Sequence, residues 1–328
     1  MKNRMILSLL AAALMLIPVL TSACTPKAEA PELIASDEPG LSENPYDETP
    51  DAEATFRRST LYYISDEGYV VPVTKLIPWE EGIARACLSY MVSTPENVSA
   101  AREMGLMTAI PDGVALSLRV ADGNALVDIS GLRALSSREE ELNMIEAVTN
   151  TLIEFPTVNT VTITRDGRGG RLENGAELPV RHEAYPLNPE DPELAVSTGA
   201  SAATLWFPNV SGAVNVPVTR YLGKTPSVYS VAAALVEGTS KSGLRSCFPE
   251  GTLLLGAAIE NGTATVNLSD DFKAVTETER LYSLAYRSLY LTLSDEFGIT
   301  GLRIQVNGVP FEPEEAEPPA YANSFGSR

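Results

Sequence analysis

The sequence contains one histidine, His182, and only three cysteines in 328 residues. Catalytic triads and Cys–His pairs need a histidine that converges with a nucleophile, and zinc sites are assembled from several His and Cys ligands. His182 lies in a stretch rich in glycine, proline and charge, which predicts a linker and not an active site. We therefore expect no enzymatic activity, no metal site and no cofactor.

Basic residues are also scarce, with 24 Lys and Arg against 43 Asp and Glu and a formal net charge of −19. Binding to a phosphate backbone needs clustered Lys and Arg, so the composition argues against nucleic acid as a partner. The excess of acid also disfavours direct adsorption to an anionic membrane surface. The simplest role of this charge is to keep the protein soluble.

The longest apolar run is near the N-terminus, at residues 5–20, and it follows two basic residues. This pattern predicts a secretory signal, since a spanning helix needs about 20 apolar residues. Residues 21–23 are small and precede Cys24, which resembles the lipobox of bacterial lipoproteins, although Thr21 stands where that motif usually has Leu. The resemblance implies cleavage before Cys24 and a lipid on its sulfur, which would anchor the protein in a membrane. The alternative is an ordinary secreted protein with an incidental cysteine.

Residues 25–58 are rich in Pro, Glu, Asp and Ala and have few large apolar residues. Such a composition buries too little surface to offset the entropy of ordering, so it predicts a flexible acidic tether. The two other cysteines, Cys87 and Cys247, lie far apart at non-equivalent positions of the repeat described next. We expect both to be buried, unpaired thiols.

A stretch of about twenty residues occurs twice, at 110–130 and at 248–269. Each copy opens with an apolar residue, Pro, an acid and Gly, and continues as two alternating apolar runs. The runs are separated by Asp122-Gly123 in the first copy and by Asn261-Gly262 in the second. These dipeptides suit a type I′ turn, which needs positive φ at both central residues. Both copies therefore predict β-hairpins.

The flanks of this stretch repeat as well. VPVTK at 71–75 returns as VPVTR at 216–220, an offset of 145, and the strand at 161–167 returns at 302–308, an offset of 141. The near-constant offset indicates a duplicated domain, because solenoid repeats have periods of only 20 to 50 residues.

Hydrophobic periodicity predicts the order β-β-α-β-β-α-β in each copy. This order favours an α+β fold of two tandem domains, each a two-layer sandwich with its helices on one sheet face. In the first copy we predict that Ser136 or Ser137 caps the longer helix. Pro72 predicts that its strand lies at a sheet edge or is bulged there. The predicted segments are a signal at 1–23, a tether at 24–59, domains at 60–168 and 203–311, a linker at 169–202 and a disordered tail at 312–328.

Few side chains suggest chemistry. Asp128 and Asn267 hold equivalent positions in VDIS and VNLS, and an amide cannot replace a general base, so a turn or capping role is predicted for both. Gly167, Gly169 and Gly170 follow a strand but precede no helix pattern, so the context of a phosphate loop is missing. Tyr282, Tyr286 and Tyr290 recur along one helix, where they form either core packing, which we favour, or a binding platform.

The ordered set of motifs resembles the GerM domain family, a sporulation and spore-germination module. In each copy the resemblance rests on an aromatic strand, the VPVT motif, the Pro-acid-Gly start of the hairpin, its VDIS or VNLS end and a Thr-Leu pair near the end of the last helix. The residues that carry it are 61–63, 71–75, 110–113, 127–130 and 151–155 in the first copy, and 205–207, 216–220, 248–251, 266–269 and 292–293 in the second.

This resemblance implies a non-enzymatic lipoprotein with ring-building-motif-like domains, lipidated at Cys24. It implies an extracytoplasmic protein held in the cell membrane by its N-terminal lipid, in the outer forespore membrane of a sporulating cell. It also implies a protein-interaction or assembly role at the mother cell–forespore interface, with envelope or forespore-channel proteins as hypothetical partners. The alternative function is a cell-envelope lipoprotein that binds peptidoglycan or polysaccharide through Trp206, Phe207 and the Tyr282 stripe.

Overall fold

The structure is a computed structural model, and the strands described below begin at Phe56, inside the predicted tether. It describes residues 56–78, 82–191, 193, 199–278 and 280–325. The predicted signal, Cys24 and the tether up to residue 55 lie outside these residues.

The first half of the structure contains two small sheets and three helices among its described residues. In chain order these are β1 (Phe56–Ser65), β2 (Val70–Pro78), α1 (Ile83–Tyr90), α2 (Pro95–Glu103), β3 (Leu106–Met107), β4 (Ala115–Ala121), β5 (Asn124–Ser130), α3 (Arg138–Ile153) and β6 (Thr160–Thr164). One sheet has the order β2-β1-β3 and the other β4-β5-β6. β5 and β6 pair in parallel, which requires a crossover, and α3 supplies it.

The second half repeats this plan. Its elements are β7 (Ser201–Pro208), β8 (Asn215–Leu222), α4 (Val228–Glu237), β9 (Leu254–Glu260), β10 (Thr263–Leu268), a 3₁₀ helix (Asp270–Glu277), α5 (Leu281–Phe297), β11 (Gly301–Val306) and β12 (Val309–Pro310). β7 and β8 form a hairpin, and the second sheet has the order β12-β11-β10-β9. β10 and β11 are the parallel pair, joined through α5.

The α+β class and the tandem arrangement are confirmed, and so are the two central hairpins. Asp122 and Gly123 have φ of 51° and 72°, and Asn261 and Gly262 have φ of 49° and 76°. Both turns therefore have the positive φ that was predicted from Asp-Gly and Asn-Gly. The hydroxyl of Ser137 accepts from the Glu140 amide at the start of α3, and β2 is an edge strand, as predicted.

The structure differs from the prediction in how the strands are grouped. We expected one sheet in each domain, whereas each half has a separate hairpin sheet and mixed sheet. The elements α2, β3, β12 and the 3₁₀ helix were not predicted. β3 and β12 have two residues each, which is too short for a periodic pattern to reveal.

The long helix of each half satisfies a backbone donor of the hairpin strand beside it. The Tyr62 amide donates to Thr151 Oγ1 at 3.0 Å, and the Trp206 amide donates to Thr292 Oγ1 at 3.0 Å. Both threonines are fully buried. The same hydrogen bond occurs in both halves, which explains why the threonine of the Thr-Leu pair recurs near the end of each long helix.

The segment predicted as a linker is part of the first half over much of its length. His182 pairs with Val161 of β6 through two backbone hydrogen bonds. The buried carboxylate of Glu141 accepts from the amides of Asn174 and Ala176. Three apolar side chains of this segment are buried in the first core, namely Leu172, Ala176 and Leu178. They are isolated among Gly, Pro and charged residues, so they leave no periodic signal.

The segment predicted as a disordered tail also packs on the body of the protein. Asn323 is 5% exposed, and the Phe325 ring lies 5.1 Å from the Tyr63 ring in an edge-to-face arrangement. Residues 312–320 are rich in Pro and Glu, a composition typical of disordered segments. Asn323 and Phe325, which make the contacts with the body, are single residues near the end of the tail.

Prediction: Thr151→Val should lower the free energy of unfolding by about 1–3 kcal/mol, because it leaves the buried Tyr62 amide without an acceptor. Thr292→Val should cost a similar amount through Trp206. Urea denaturation monitored by circular dichroism would measure both. Thr157→Val, at an exposed position just after α3, is the control and should change stability by less than about 0.5 kcal/mol. A neutral Thr151→Val would contradict the role of this hydrogen bond.

Candidate functional site

The two halves meet along β2 and β8, the strands that carry the repeated VPVT motif. Val214 and Val216 belong to the hydrophobic core of the first half although they lie in and beside β8. β2 and β8 are edge strands that pair on one side with β1 and β7. Their other backbone groups are buried between the halves, so they need other partners.

One partner is Asn188, which is 8% exposed and lies between the two strands. Its Oδ1 accepts from the Val70 amide at 2.9 Å. Its Nδ2 donates to the Val70 carbonyl at 2.9 Å and to the Pro217 carbonyl at 2.7 Å. A primary amide offers two donors and an acceptor, so one side chain joins a strand of each half.

Asn323 makes the reciprocal set of bonds. Its Oδ1 accepts from the Asn215 amide at 2.8 Å. Its Nδ2 donates to the Asn215 carbonyl at 2.8 Å and to the Pro72 carbonyl at 3.0 Å. Each asparagine thus binds both backbone groups of one residue and the carbonyl of the proline in the opposite strand.

The two sets of contacts are related by the internal repeat. The strand positions are offset by 215 − 70 = 145 and 217 − 72 = 145, and the asparagines by 323 − 188 = 135. The interface therefore has approximate two-fold symmetry, in which the segment after each half reaches across to the other half. We call residues 185–190 the linker strap and residues 321–325 the C-terminal strap.

Each strap also pairs with the backbone of a VPVT threonine. In the linker strap, the Leu187 carbonyl accepts from the Thr219 amide at 2.8 Å, and the Glu190 amide donates to the Thr219 carbonyl at 3.0 Å. In the C-terminal strap, the Asn323 carbonyl accepts from the Thr74 amide at 2.9 Å, and the Phe325 amide donates to the Thr74 carbonyl at 3.1 Å. The straps thus cover the outer edges of β2 and β8.

The basic residue that ends each VPVT motif contacts the strap residue two places after the asparagine. Arg220 forms a largely buried ion pair with Glu190, with Nε 2.5 Å from Oε2. Burial alone would raise the pKa of Glu190, but hydrogen bonds from Arg220 and Thr239 hold it below its ordinary value. Arg220 also donates to carbonyls at the end of α4, so it ties the strap to that helix.

Lys75 is the counterpart of Arg220 and uses aromatic rings in place of a carboxylate. Its Nζ lies 4.7 Å from the centre of the Phe325 ring and 4.9 Å from that of Tyr90. Burial lowers the pKa of Lys75, although Glu96 acts in the opposite direction. A cation between two ring faces gains from both quadrupoles, so Phe325 helps hold the end of the C-terminal strap.

A second pair of equivalent groups lies where the long helices end. The Tyr62 hydroxyl donates to Glu154 at 2.9 Å, and Trp206 Nε1 donates to Asp295 at 3.2 Å. Loss of solvation raises the pKa of Glu154, and the charge on Asp295 raises it further, whereas the Tyr62 bond lowers it. The ends of α3 and α5 are therefore close enough for their carboxylates to interact.

Glu146 is a further charged group in this region. Burial raises the pKa of Glu146 to about 7, and only Lys241 acts to lower it. Lys241 also lies over the Tyr69 ring at 5.9 Å, and the Tyr69 hydroxyl donates to the Ser242 carbonyl at 2.7 Å. The pKa of Glu146 in α3 thus depends on Lys241, which lies in a loop of the second half.

The residues singled out in the sequence have mainly structural roles. Asp128 accepts from the Gly167 amide at 2.6 Å, and Asn267 accepts from the Gly308 amide at 2.8 Å, which confirms the turn-capping role. Gly167 is thus in a hairpin turn. Cys87 and Cys247 are buried free thiols, as predicted.

The structure does not present the aromatic platform that motivated the alternative function. Trp206, Phe207, Tyr282 and Tyr286 are all less than 9% exposed, and the Tyr282 hydroxyl donates to the Phe311 carbonyl. Core packing of this helix stripe is confirmed. A binding role for peptidoglycan or polysaccharide through these residues loses its basis.

Sequence reasoning missed Asn188 and Asn323, because single asparagines in Pro-rich segments give no periodic signal. The available sign was the proline at the same place in each VPVT motif, which forces an edge strand. Cys24 lies outside the described residues. Within the described ranges, His, Cys, Asp and Glu form no group of three or more suited to a metal ion, and no helix there could span a membrane.

Comparisons with known proteins fit the duplicated architecture. The family Germane, described as "Sporulation and spore germination", matches residues 60–170 and 204–312. These segments cover both halves and more than half of the chain. The chain belongs to the Germane family. This membership supports a role related to sporulation.

A relative and a solved structure agree with this assignment. The spore germination protein GerM of Bacillus subtilis (strain 168) is 26% identical over 269 residues, which are 78% of this chain and 73% of that protein. The structure of the tandem GerMN domains of the sporulation protein GerM from Bacillus subtilis superposes with a TM-score of 0.62 at 21% identity. It covers 82% of this chain and 99% of that one, and it confirms the tandem fold.

Prediction: Glu146→Gln should stabilise the protein at pH 8 and have no effect at or below pH 4.5. The pKa of Glu146 is raised in the folded state, so between pH 4.5 and 7 the folded state binds more protons than the unfolded state. The wild-type free energy of unfolding therefore falls as the pH rises through this range, by on the order of 2 kcal/mol.

Urea denaturation at several pH values would show this. The Gln variant should lose that part of the pH dependence, whereas Glu139→Gln, at an exposed site on the same helix, should keep it. An unchanged pH dependence in Glu146→Gln would show that the carboxyl titrates alike in the folded and unfolded states.

Proposed function

We propose that this protein is a non-enzymatic, membrane-anchored lipoprotein of the sporulation or germination machinery that acts as a protein-interaction or assembly module. The observation that carries the proposal is the Germane match over both halves. The curated relative, which is named a spore germination protein, supports the same process. In this proposal the protein works at the mother cell–forespore interface and contacts envelope or forespore-channel proteins.

The use of the interior polar groups supports a role without catalysis. Asp128 caps a turn, Glu141 binds two backbone amides, and Glu190 is held by Arg220 and Thr239. Each of these carboxylates is occupied by structural bonds. The arrangement suits a rigid body that presents its surface to other proteins.

Anchorage and location form a separate step of the proposal. The N-terminal pattern of an apolar run, small residues and Cys24 supports attachment through a lipid on that cysteine. The protein would then be extracytoplasmic, in the outer forespore membrane of a sporulating cell. The first described strand, β1, begins at Phe56, which is 56 − 24 = 32 residues after Cys24.

The interaction role can be tested in sporulating cells. A tagged full-length chain would be cross-linked, recovered and analysed for envelope and forespore proteins, with a tagged unrelated lipoprotein as the control. We expect specific partners in the tagged sample and a sporulation or germination defect on deletion. No enriched partner, together with normal sporulation and germination in the deletion strain, would contradict the proposal.

Prediction: Cys24→Ala should move the protein from the membrane fraction to the soluble or secreted fraction, because the lipid attachment atom is lost. Cys87→Ala and Cys247→Ala are matched controls and should remain in the membrane fraction, since both thiols are buried. Fractionation and immunoblotting would measure this. A Cys24→Ala protein that stays membrane-bound and uncleaved would identify the N-terminal segment as a signal anchor instead.

A further inference from the structure

The two straps make equivalent contacts but differ in how they are connected to the chain. The linker strap, residues 185–190, precedes β7 in the chain. At its start it is bonded to the first half, where Asn150 binds both the amide and the carbonyl of Tyr185. The C-terminal strap, residues 321–325, is joined to β12 through residues 311–320, none of which is buried. It can therefore leave its site without pulling a strand or a helix out of either half.

The site of the C-terminal strap is a formed recognition site for an extended peptide. The outer edge of β2, which the strap covers, supplies the Thr74 amide and carbonyl. Pro72 and Asn215 supply the groups that recognise the asparagine. The Phe325 ring packs edge-to-face against the Tyr63 ring. Lys75 lies over the Phe325 ring and also over the ring of Tyr90. Backbone pairing with side-chain pockets at alternate residues is how proteins bind added strands.

Arg287 fixes the entry of the strap into this site. Its Nη2 donates to the carbonyls of Tyr321 and Ala322 at 2.8 and 2.7 Å, and burial lowers its pKa. Both contacts use main-chain carbonyls, so they do not depend on the side chains at these two positions. Arg58 lies over the Tyr321 ring at 5.9 Å, but that ring is exposed. The enclosed side-chain contacts of the strap are those of Asn323 and, two residues later, Phe325.

We propose that the edge of β2 is a peptide-binding site specific for an extended Asn-x-Phe segment, and that the protein's own C-terminal strap is its detachable occupant. When the strap leaves, β2 presents an unpaired edge and the amide of Asn215 loses its partner. An unpaired edge is a template for another strand, so the strap controls access to this surface. The proposal does not depend on the role in sporulation.

Hydrogen exchange in the full-length protein tests the release of the strap. Asn323→Ala should speed exchange of the Thr74 and Asn215 amides by about tenfold or more, since the lost hydrogen bonds amount to a tenfold or larger change in the docking equilibrium. Exchange of the Tyr62 and Trp206 amides, which bond to the helices, should stay as in the wild type. Ser324→Ala, at the exposed neighbouring residue, is the control and should leave the Thr74 amide protected.

A peptide of residues 312–328 then tests recognition in trans on the full-length Asn323→Ala protein. At about 1 mM, the effective concentration of a tethered segment, the native peptide should restore slow exchange at Thr74 and Asn215. The same peptide with Asn323→Ala should not. A peptide labelled with a fluorophore at residue 312 would also report binding, through a saturable change in its fluorescence.

Three results would overturn the proposal. One is Thr74 exchange in Asn323→Ala that matches the wild type, which would mean that the asparagine does not hold the strap. Another is equal acceleration at all amides, which would mean that the strap leaves only on global unfolding. The third is a lack of protection by the native peptide in a variant whose strap is released, which would mean that the site does not bind the segment from solution.

Discussion

The buried edges of β2 and β8 are the constraint on which the rest of the structure depends. Each VPVT strand has a proline and pairs with another strand on one side only, yet the backbone groups on its other side are removed from water. Asn188 and Asn323 satisfy these groups in both strands at once. A buried amide or carbonyl without a partner costs about 1–3 kcal/mol, so each asparagine secures several such groups, and the two halves become one body.

This interface also explains the contacts of residues 185–190 and 321–325, which lie outside the repeats. The linker reaches β8 only after it has crossed the first half, where Glu141 and β6 bind it. The C-terminal strap must return from β12 to β2, and Arg287 guides it. The duplication therefore repeats an element that lies beyond each domain, namely a strap with an asparagine. The basic residue that ends each VPVT motif holds its strap in a different way. Arg220 forms an ion pair with Glu190, and Lys75 forms a cation–π contact with Phe325.

The sequence predicted the parts of the fold that rest on local chemistry. Asp-Gly and Asn-Gly located both hairpins, Ser137 located the start of α3, and Pro72 marked an edge strand. The repeat located the two halves, and the equivalence of Asp128 and Asn267 indicated a shared capping role. The division of strands between sheets and the two straps depend on contacts between distant residues. No periodic apolar pattern surrounds Asn188, Asn323 or Phe325 in the sequence, so their contacts could not be predicted from it.

We expect the straps to join the two halves into one cooperative unit. Differential scanning calorimetry of residues 56–328 measures this most directly, through the ratio of the calorimetric to the van't Hoff enthalpy. We expect one transition with a ratio close to one, because neither half keeps its buried strand edge satisfied without the other. Two separate transitions, or a ratio near two, would show that the halves unfold independently and that the straps do not couple them.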